Sequence, residues 1–261
     1  MSTRNYGNID EDSRTHQEHV ARMTAYYAET ASKYNSWHCD PSNISSHNFA
    51  ARETISLMEE VGGKTLLDVC CGTGRAVKMA IDHGYSAKGI DISSDLVRIG
   101  VQELGIAQEH LDVGDATDLP YEDNSFDVSC IYGALHHTAQ PRRIVSEMTR
   151  VSRKGIVISD EGNHLTGGFK ALLTALGVFD PVYRVVFRRA PREGRRMTVS
   201  DGDGPTFVFS VEEIIPQLRE AFSVMKCLTF YRVGRFQSCS FRYPRLFAKQ
   251  VVVIARKNSE G

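Results

Sequence analysis

Short apolar runs alternate with longer amphipathic segments through the middle of this 261-residue chain. The apolar runs are bounded by glycine or polar turns and have the length of buried strands, whereas the segments between them have helical spacing. Strands are predicted at 65–69, 86–91, 109–113, 126–132 and 155–160, and helices at 74–83, 94–104 and 140–152. This alternation is typical of an α/β fold whose parallel sheet is built through right-handed crossovers.

The N-terminal part of the chain has a different pattern. A helix is predicted over residues 15–33 and a second one over 46–60, where the pair Gly62-Gly63 ends it. The apolar face of the first helix is formed by Val20, Met23, Tyr27 and Ala31. We expect these helices to form a cap beside the sheet.

The C-terminal part completes the predicted sheet. A helix over 211–222 precedes strands at 224–232 and 247–256, which we expect to pair antiparallel. About fifty residues, 162–210, lie between the fifth strand and this helix. A connection of that length in a compact fold usually forms a lid or a binding element.

Composition limits the classes of protein to consider. Hydrophobic residues make up 41% and charged residues 24% of the chain, as in globular proteins with a sizeable core. The net charge of −1 gives no overall attraction to nucleic acid or to anionic membranes. The polar N-terminus lacks a secretory signal, and no apolar run is long enough to span a bilayer. The six cysteines include no C-x-x-C pair, which favours reduced thiols and a cytoplasmic location.

The most informative segment is 66–74, in which an apolar strand continues directly into a loop containing Gly72 and Gly74. A helix follows at once. Two glycines remove the side chains that would keep a ligand away from backbone N–H groups and from the helix N-terminus. The next predicted strand ends in Asp91, and the third is followed by Asp115. The segment therefore indicates a ligand site at the carboxyl edge of the sheet.

These elements, in this order, resemble the class I, Rossmann-like S-adenosylmethionine-dependent methyltransferases, especially the ubiquinone/menaquinone branch. The resemblance covers about residues 60–160. It implies a seven-stranded, mostly parallel sheet in the order 3-2-1-4-5-7-6, with helices on both faces. It also implies S-adenosyl-L-methionine as the cofactor and S-adenosyl-L-homocysteine as its product. A dinucleotide-binding Rossmann unit is the main alternative, but its G-x-G-x-x-G fingerprint needs a glycine where Val77 stands.

The resemblance implies a role for each motif. The glycine loop would approach the methionine end, Asp91 would accept hydrogen bonds from the ribose hydroxyls, and Asp115 would accept one from the adenine amine. Cys70 stands where the family's loop often has its first glycine, and Tyr34 would lie over the sulfonium. The implied cofactor-binding residues are Tyr34, Asp68, Cys70, Gly72, Thr73, Gly74, Asp91, Ile92, Asp115, Ala116, Tyr132 and Gly133.

Candidate residues for the acceptor lie outside this set. His136 and His137 follow the fourth strand, and either can act as a base or orient the acceptor, while a purely structural role stays open. Aromatic residues ahead of the core, an acid at the end of the fifth strand and a cluster of arginines are candidates for binding substrate, with solvated surface positions as the alternative for the charged ones. The candidate substrate-binding residues are Tyr27, Trp37, Glu161, Arg188 and Arg189.

The sequence predicts four regions: a helical cap over 1–60, a cofactor-binding core over 61–161, a substrate-binding lid over 162–210, and 211–261 completing the core. The predicted function is methyl transfer to a small molecule, with oxygen or nitrogen favoured over carbon. The alternatives are a tRNA or protein methyltransferase, and a partner subunit that holds the cofactor without turnover. We expect no membrane or nucleic-acid partner. No set of metal ligands is legible in the sequence, and dependence on magnesium and a homodimer are left open.

Overall fold

The computed structural model describes residues 9–38, 46–161, 197–200, 204–207, 209–233, 236–240 and 250–257. The helices are α1 (Ile9–His38), α2 (Ser46–Glu60), α3 (Arg75–Asp82), α4 (Ser94–Leu104), α5 (Pro141–Val151) and α6 (Ile215–Ala221). The strands are β1 (Thr65–Val69), β2 (Ser86–Asp91), β3 (Leu111–Val113), β4 (Phe126–Tyr132), β5 (Ser152–Glu161), β6 (Met197–Ser200), β7 (Gly204–Phe207), β8 (Val224–Val233), β9 (Phe236–Ser240) and β10 (Gln250–Arg256). Short 3-10 turns lie at Gln108–His110, Leu135–His137 and Val211–Glu213.

The main sheet has the strand order β3-β2-β1-β4-β5-β10-β8-β9. Strands β1 to β5 run parallel, and β10 pairs antiparallel with both β5 and β8. The predicted α/β fold class is confirmed. With β8 as the sixth and β10 as the seventh strand, the first seven strands have the implied order. The structure adds β9 at the outer edge and a separate β6–β7 hairpin, neither of which was predicted.

Several element boundaries differ from the predicted ones. Helix α1 begins at Ile9, six residues before the predicted start, and continues to His38. Strand β3 is shorter than predicted because Gln108–His110 form a 3-10 turn. The helix predicted over 211–222 is divided, and α6 starts beside Pro216, whose missing N–H suits a first helical turn.

The core lies on both faces of the sheet. Along β4, Ile131 packs into the cluster formed with α5 and α6, while Val128 and Cys130 pack into the cluster formed with α2 and α3. This alternation follows the two-residue period of a strand. A sheet covered on both faces leaves its carboxyl edge as the place where loops from neighbouring strands meet.

Helix α1 packs outside this layered core, against α4. Ala31 of α1 is buried with Leu96 and Ile99 of α4, and the Asn35 amide donates to the Glu103 carboxylate at 2.7 Å. The helix has 30 residues but is polar over much of its surface. In the described part of the chain, no helix combines the length and apolar character needed to cross a membrane.

Candidate functional site

The loop after β1 is a tight turn held by backbone hydrogen bonds. The Cys71 N–H donates to the Ile90 carbonyl at 3.0 Å, and the Gly74 N–H donates to the Cys71 carbonyl at 2.9 Å. Three loop residues have positive φ: Cys70 at 55°, Gly72 at 58° and Gly74 at 79°. The position that Cys70 occupies therefore suits glycine, and a side chain there costs about 1–2 kcal/mol. Cys70 therefore has a strained backbone conformation in this loop.

Asp91, at the end of β2, holds this loop against the sheet. One carboxylate oxygen accepts from the Gly72 N–H at 2.8 Å, and the other accepts from the Ser93 N–H at 2.9 Å. The side chain is only 7% exposed, and burial raises its pKa although the two N–H donors oppose that shift. Each oxygen has a second lone pair, so the carboxylate can still accept hydrogen bonds from a diol.

Asp115, after β3, is linked to helix α1. Its Oδ2 accepts from His16 Nε2 at 2.6 Å, and its Oδ1 accepts from both the N–H and the hydroxyl of Thr117 at 2.8 Å. Partial burial raises the pKa of this carboxyl, but the His16 and Thr117 hydrogen bonds outweigh it and bring the pKa to about 2. Asp115 is therefore an anionic acceptor throughout the neutral range.

Asp68 lies deeper, one strand away, and is 3% exposed. Burial raises its pKa to about 7, although the Cys130 thiol donates to its Oδ1 at 3.6 Å and opposes that shift. A buried carboxyl that titrates near neutrality is destabilising when ionised, unless a cation arrives to compensate it.

The loop also lies in a strongly negative environment. The pKa of the Cys70 thiol is raised first by its burial and then by the carboxylates of Asp91, Asp68, Asp115 and Asp160. Four acids around one loop favour a cationic ligand over a neutral or anionic one.

A cavity of about 100 Å³ opens at this edge of the sheet, beneath α1. From the predicted site residues, it brings together Tyr27, Tyr34, Cys70, Gly72, Asp91, Ile92, Asp115, Ala116, Tyr132, Gly133 and His137. Residues from α1 and from the ends of β2 and β4 thus line the same cavity.

Three other predicted residues lie behind the wall of the cavity. Asp68 is beneath the loop, Thr73 Oγ1 donates to the Asn35 side chain of α1 at 2.8 Å, and Gly74 leads into α3. These residues shape the loop and attach it to its neighbours.

His136 also lies outside the cavity wall. Its Nδ1 is 2.7 Å from Oδ1 of Asp160, a carboxylate only 1% exposed, whose other oxygen accepts from the Leu135 N–H at 2.7 Å. The pair fixes the turn that follows β4. Of the two neighbouring histidines, His137 is the one that reaches the cavity.

The remaining substrate candidates lie outside the described residues in whole or in part. The backbones of Trp37 and Glu161 belong to α1 and β5, but their side chains are not described. Arg188 and Arg189 lie outside the described residues altogether. Their proposed roles stay predictions.

Helix α1 supplies cavity residues that the sequence interpretation missed. His16 and His19 line the cavity together with Val20 and Met23, which the sequence had indicated only as a helix face. Each histidine stands four residues before one of these apolar positions, so it continues the same stripe. That spacing was the available signal.

Tyr34, from the same helix, lies against the glycine loop. A Cβ placed on Gly72 would be 2.9 Å from the Tyr34 hydroxyl, so the close approach requires glycine. Burial raises the pKa of Tyr34, and its ring packs edge-on against Tyr27 with centroids 6.0 Å apart. Helix α1 therefore closes the cavity from above the loop.

Gly100 of α4 is a second residue that the sequence interpretation missed. A Cβ at this position would lie 2.4 Å from the Thr73 carbonyl oxygen and 3.0 Å from Leu111 Cδ1. Because the first neighbour is backbone, no side-chain rotation can relieve the contact. Gly100 allows α4 to pack directly on the glycine loop.

The class I S-adenosylmethionine-dependent methyltransferase fold is defined by a mostly parallel sheet covered by helices on both faces, with a glycine loop after β1 and acids after β2 and β3. The comparisons with known proteins agree with that class. Residues 67–158 match the methyltransferase domain family, and this segment holds β1 to β5 almost entirely. The family resemblance predicted from the sequence is confirmed.

Curated relatives are demethylmenaquinone methyltransferases from Bacillus species. The one from Bacillus cytotoxicus is 29% identical over 156 residues, which are 56% of this chain and 66% of that protein. The one from Bacillus mycoides is 35% identical over 115 residues, 42% of this chain and 48% of that protein. The chain thus spans about half to two thirds of the length of these relatives.

Solved structures agree with the fold over most of the chain. A Thermotoga maritima methyltransferase, described as a possible histamine N-methyltransferase, has a TM-score of 0.55 and 17% identity, covering 90% of this chain and 99% of that one. Magnesium protoporphyrin IX methyltransferase from Synechocystis, solved with bound S-adenosylhomocysteine, has a TM-score of 0.53 and 14% identity, covering 92% of this chain and all of that one. At these identities the likeness shows the fold alone.

Proposed function

We propose that this protein transfers a methyl group from S-adenosylmethionine to a small molecule bound beneath α1. The observation that carries the proposal is the pairing of Asp91 with Gly72 at the cavity wall. It joins a buried carboxylate, suited to a ribose diol, to the glycine loop that would lie beside the methionine end. The family match over 67–158 supports the same donor.

The donor's chemistry fits the residues present. It supplies a methyl group already activated by a cationic sulfonium, so the protein's main contribution is to position the reactants. Asp91 and Asp115 would hold the ribose and the adenine, and Ile92 and Ala116 give an apolar surface between them. The negative field around Cys70 stabilises a cation more than a neutral thioether, which favours the donor over its product.

The acceptor is best explained as a small molecule. Helix α1 lies across the carboxyl edge of the sheet and covers the cavity, leaving a space with apolar side chains such as Val20, Met23 and Ile144. A site closed in this way suits a compact apolar acceptor better than an RNA or a protein chain. The names of the curated relatives support a quinone-type aromatic as one candidate.

Calorimetry with S-adenosylhomocysteine tests the donor site. Asp91→Asn removes the charge from the diol acceptor and places an amide N–H₂ against one of the two backbone donors. We expect binding to weaken by about 1–3 kcal/mol, because hydrogen bonds to a charged group are lost. Asp82→Asn, at an exposed position paired with Lys78, is the matched control and should bind as the native protein does. Equal affinity for both variants would contradict the proposal.

A labelled-methyl assay tests the acceptor class. Donor with a labelled methyl group is incubated with protein and with separate fractions of metabolites, tRNA and total protein. Label transferred to the metabolite fraction supports the proposal. Label transferred only to macromolecules supports the tRNA or protein alternative, and binding of the donor without any transfer supports a non-catalytic subunit.

A further inference from the structure

His19 stands on the inner face of α1, where the helix faces the end of β4. Its side chain is 6% exposed and lines the cavity. Its ring packs edge-on against Phe207 of β7, with centroids 4.7 Å apart. This packing, together with a hydrogen bond from Nε2 to the His137 carbonyl, fixes the orientation of the ring.

The hydrogen bond of His19 determines which ring nitrogen carries the proton. Nε2 is bonded to the main-chain carbonyl oxygen of His137. A carbonyl oxygen can only accept, so Nε2 must be the N–H donor. In a neutral imidazole, Nδ1 then carries a lone pair and acts as an acceptor.

Within the part of the chain that the structure describes, Nδ1 of His19 is buried and makes no hydrogen bond. Leaving a buried acceptor unsatisfied costs about 1–3 kcal/mol, so an unsatisfied acceptor on a residue that lines a cavity points to a ligand that donates to it.

The surroundings keep the ring neutral. Burial lowers the pKa of His19, and His16 and Arg22 on the same helix lower it further, while the bond to the His137 carbonyl opposes the shift. From β7 the packed neighbour is the uncharged Phe207. Asp115, in the loop after β3, lines the same cavity and is engaged by His16.

We propose that His19 Nδ1 is the base that removes the proton of a phenolic acceptor. The inference rests on the proposed function and adds the acceptor's chemistry to it. Val20, Met23 and Tyr27 line the same cavity as His19 and provide an apolar wall for an aromatic ring. A phenol, with a pKa near 10, is within reach of an imidazole base in a way that an aliphatic alcohol is not.

The balance of the step is simple. The phenolic O–H bond breaks, its proton binds Nδ1, and its electron pair stays on oxygen. A lone pair of that oxygen forms the new bond to the methyl carbon while the pair of the sulfur–methyl bond leaves with sulfur. His19 becomes an imidazolium that still donates from Nε2 to the His137 carbonyl, and it returns the proton to solvent.

The variant His19→Gln removes the basic nitrogen but keeps the structural contact with the His137 carbonyl. The glutamine amide can still donate an N–H to the His137 carbonyl, but it offers no basic nitrogen. His83, an exposed residue after α3 that is remote from the cavity, provides the control variant His83→Gln. All three proteins are first shown to bind S-adenosylhomocysteine.

The first readout is optical and needs no turnover. With S-adenosylhomocysteine present, 4-nitrophenol is bound at pH 6.5 and its ionised fraction is measured by absorbance. The native protein and His83→Gln should raise the ratio of bound phenolate to bound phenol at least tenfold over that seen with His19→Gln. Equal phenolate fractions in all three proteins, with 4-nitrophenol bound, would overturn the assignment.

The second readout is kinetic, with a phenolic acceptor found in the labelled-methyl assay. His19→Gln should lower kcat about 10²–10⁴-fold, as for loss of a general base, and should remove the acidic limb of the pH profile. A variant that binds S-adenosylhomocysteine normally and keeps its full kcat rejects His19 as the base while leaving the proposed function intact. Failure of the native protein to bind S-adenosylhomocysteine rejects the proposed function itself.

Discussion

The two walls of the cavity are built in different ways. The wall on the sheet side, with Asp91 and Asp115, follows from consecutive strand-end loops and is held by backbone hydrogen bonds. The wall on the cap side is a single helix, α1, joined to the sheet by contacts such as His16 to Asp115 and His19 to His137, across 99 and 118 residues of sequence.

This difference separates two tasks. The sheet side depends on main-chain geometry that side-chain substitution leaves largely unchanged, which suits a donor shared across a family. The cap side depends on a few side chains of one helix, which can change without disturbing the sheet. On the proposed function, the sheet side would bind the donor and the cap would select the acceptor.

The largest expected effect is on the sheet side, from Gly100→Ala. The new Cβ would lie 2.4 Å from the Thr73 carbonyl, which forces α4 away from the glycine loop. We expect a loss of about 3 kcal/mol in the free energy of unfolding, at the upper end for overpacking, and at least tenfold weaker binding of S-adenosylhomocysteine. Denaturant unfolding and calorimetry measure the two effects.

Gly105→Ala is the control for that substitution. Gly105 ends α4 with φ of 66° but has open space around it, so alanine should cost only about 1 kcal/mol and leave binding unchanged. Equal losses in the two variants would contradict the account, because they would show that the contact with Thr73 adds nothing to the cost of the Gly100 substitution.

A second prediction concerns Asp68. Because its folded pKa is raised to about 7, the stability linked to this carboxyl is fully present below its ordinary pKa of 3.8 and is lost as pH rises through 7. Asp68→Asn cannot ionise, so it should stabilise the ligand-free protein at pH 8 by about 1–3 kcal/mol, with little change at pH 4. Thermal unfolding across this pH range measures the gain.

The same substitution should weaken donor binding, because it removes a negative charge from the site. The substitution would then stabilise the fold and weaken donor binding, as expected for a functional residue. A stabilisation independent of pH would contradict the assigned titration. Asp82→Asn, on the exposed surface of α3, should show neither effect.

A smaller effect is expected on the cap side from His16→Ala. Loss of the hydrogen bond to Asp115 should cost about 1 kcal/mol of stability. Since this bond holds α1 over the cavity, S-adenosylhomocysteine should associate faster with the variant, as stopped-flow fluorescence can measure. An unchanged association rate would show that this contact does not limit entry.

The smallest effect is expected from Cys70→Gly. Relief of the positive φ of 55° gains about 1–2 kcal/mol, and the added chain entropy of glycine in the unfolded state takes back about 0.5–1 kcal/mol. A net stabilisation of up to about 1 kcal/mol is expected in thermal unfolding. A loss of stability would mean that packing of the thiol outweighs the strain.

The sheet side was predictable from the sequence, and the cap was only partly so. Strand 126–132, helix 94–104 and the positions of Gly72 and Asp91 at the carboxyl edge of the sheet depend on patterns contained within short segments. The pairing of His19 with His137 joins residues far apart in the chain, and no local pattern reports it. His16 and His19 continue an apolar stripe, but the stripe alone does not distinguish a cavity wall from a buried core.

Three other kinds of feature escaped prediction for physical reasons. Gly100 lies inside a helix, where glycine only weakens helix propensity, and its purpose appears once α4 lies on the loop. Strand β9 and the β6–β7 hairpin are short, and such segments carry little periodicity. Asp115 was predicted as an adenine acceptor, but its contact with α1 depends on the tertiary arrangement.

The central claim is that the donor's nucleoside lies along the ends of β2 and β3, between the two acids. A crystal structure with S-adenosylhomocysteine tests it most directly. The account predicts the ribose hydroxyls within hydrogen-bonding distance of Asp91 and the adenine amine within that distance of Asp115. Electron density for the ligand at another place, or a vacant edge at saturating concentration, would contradict it.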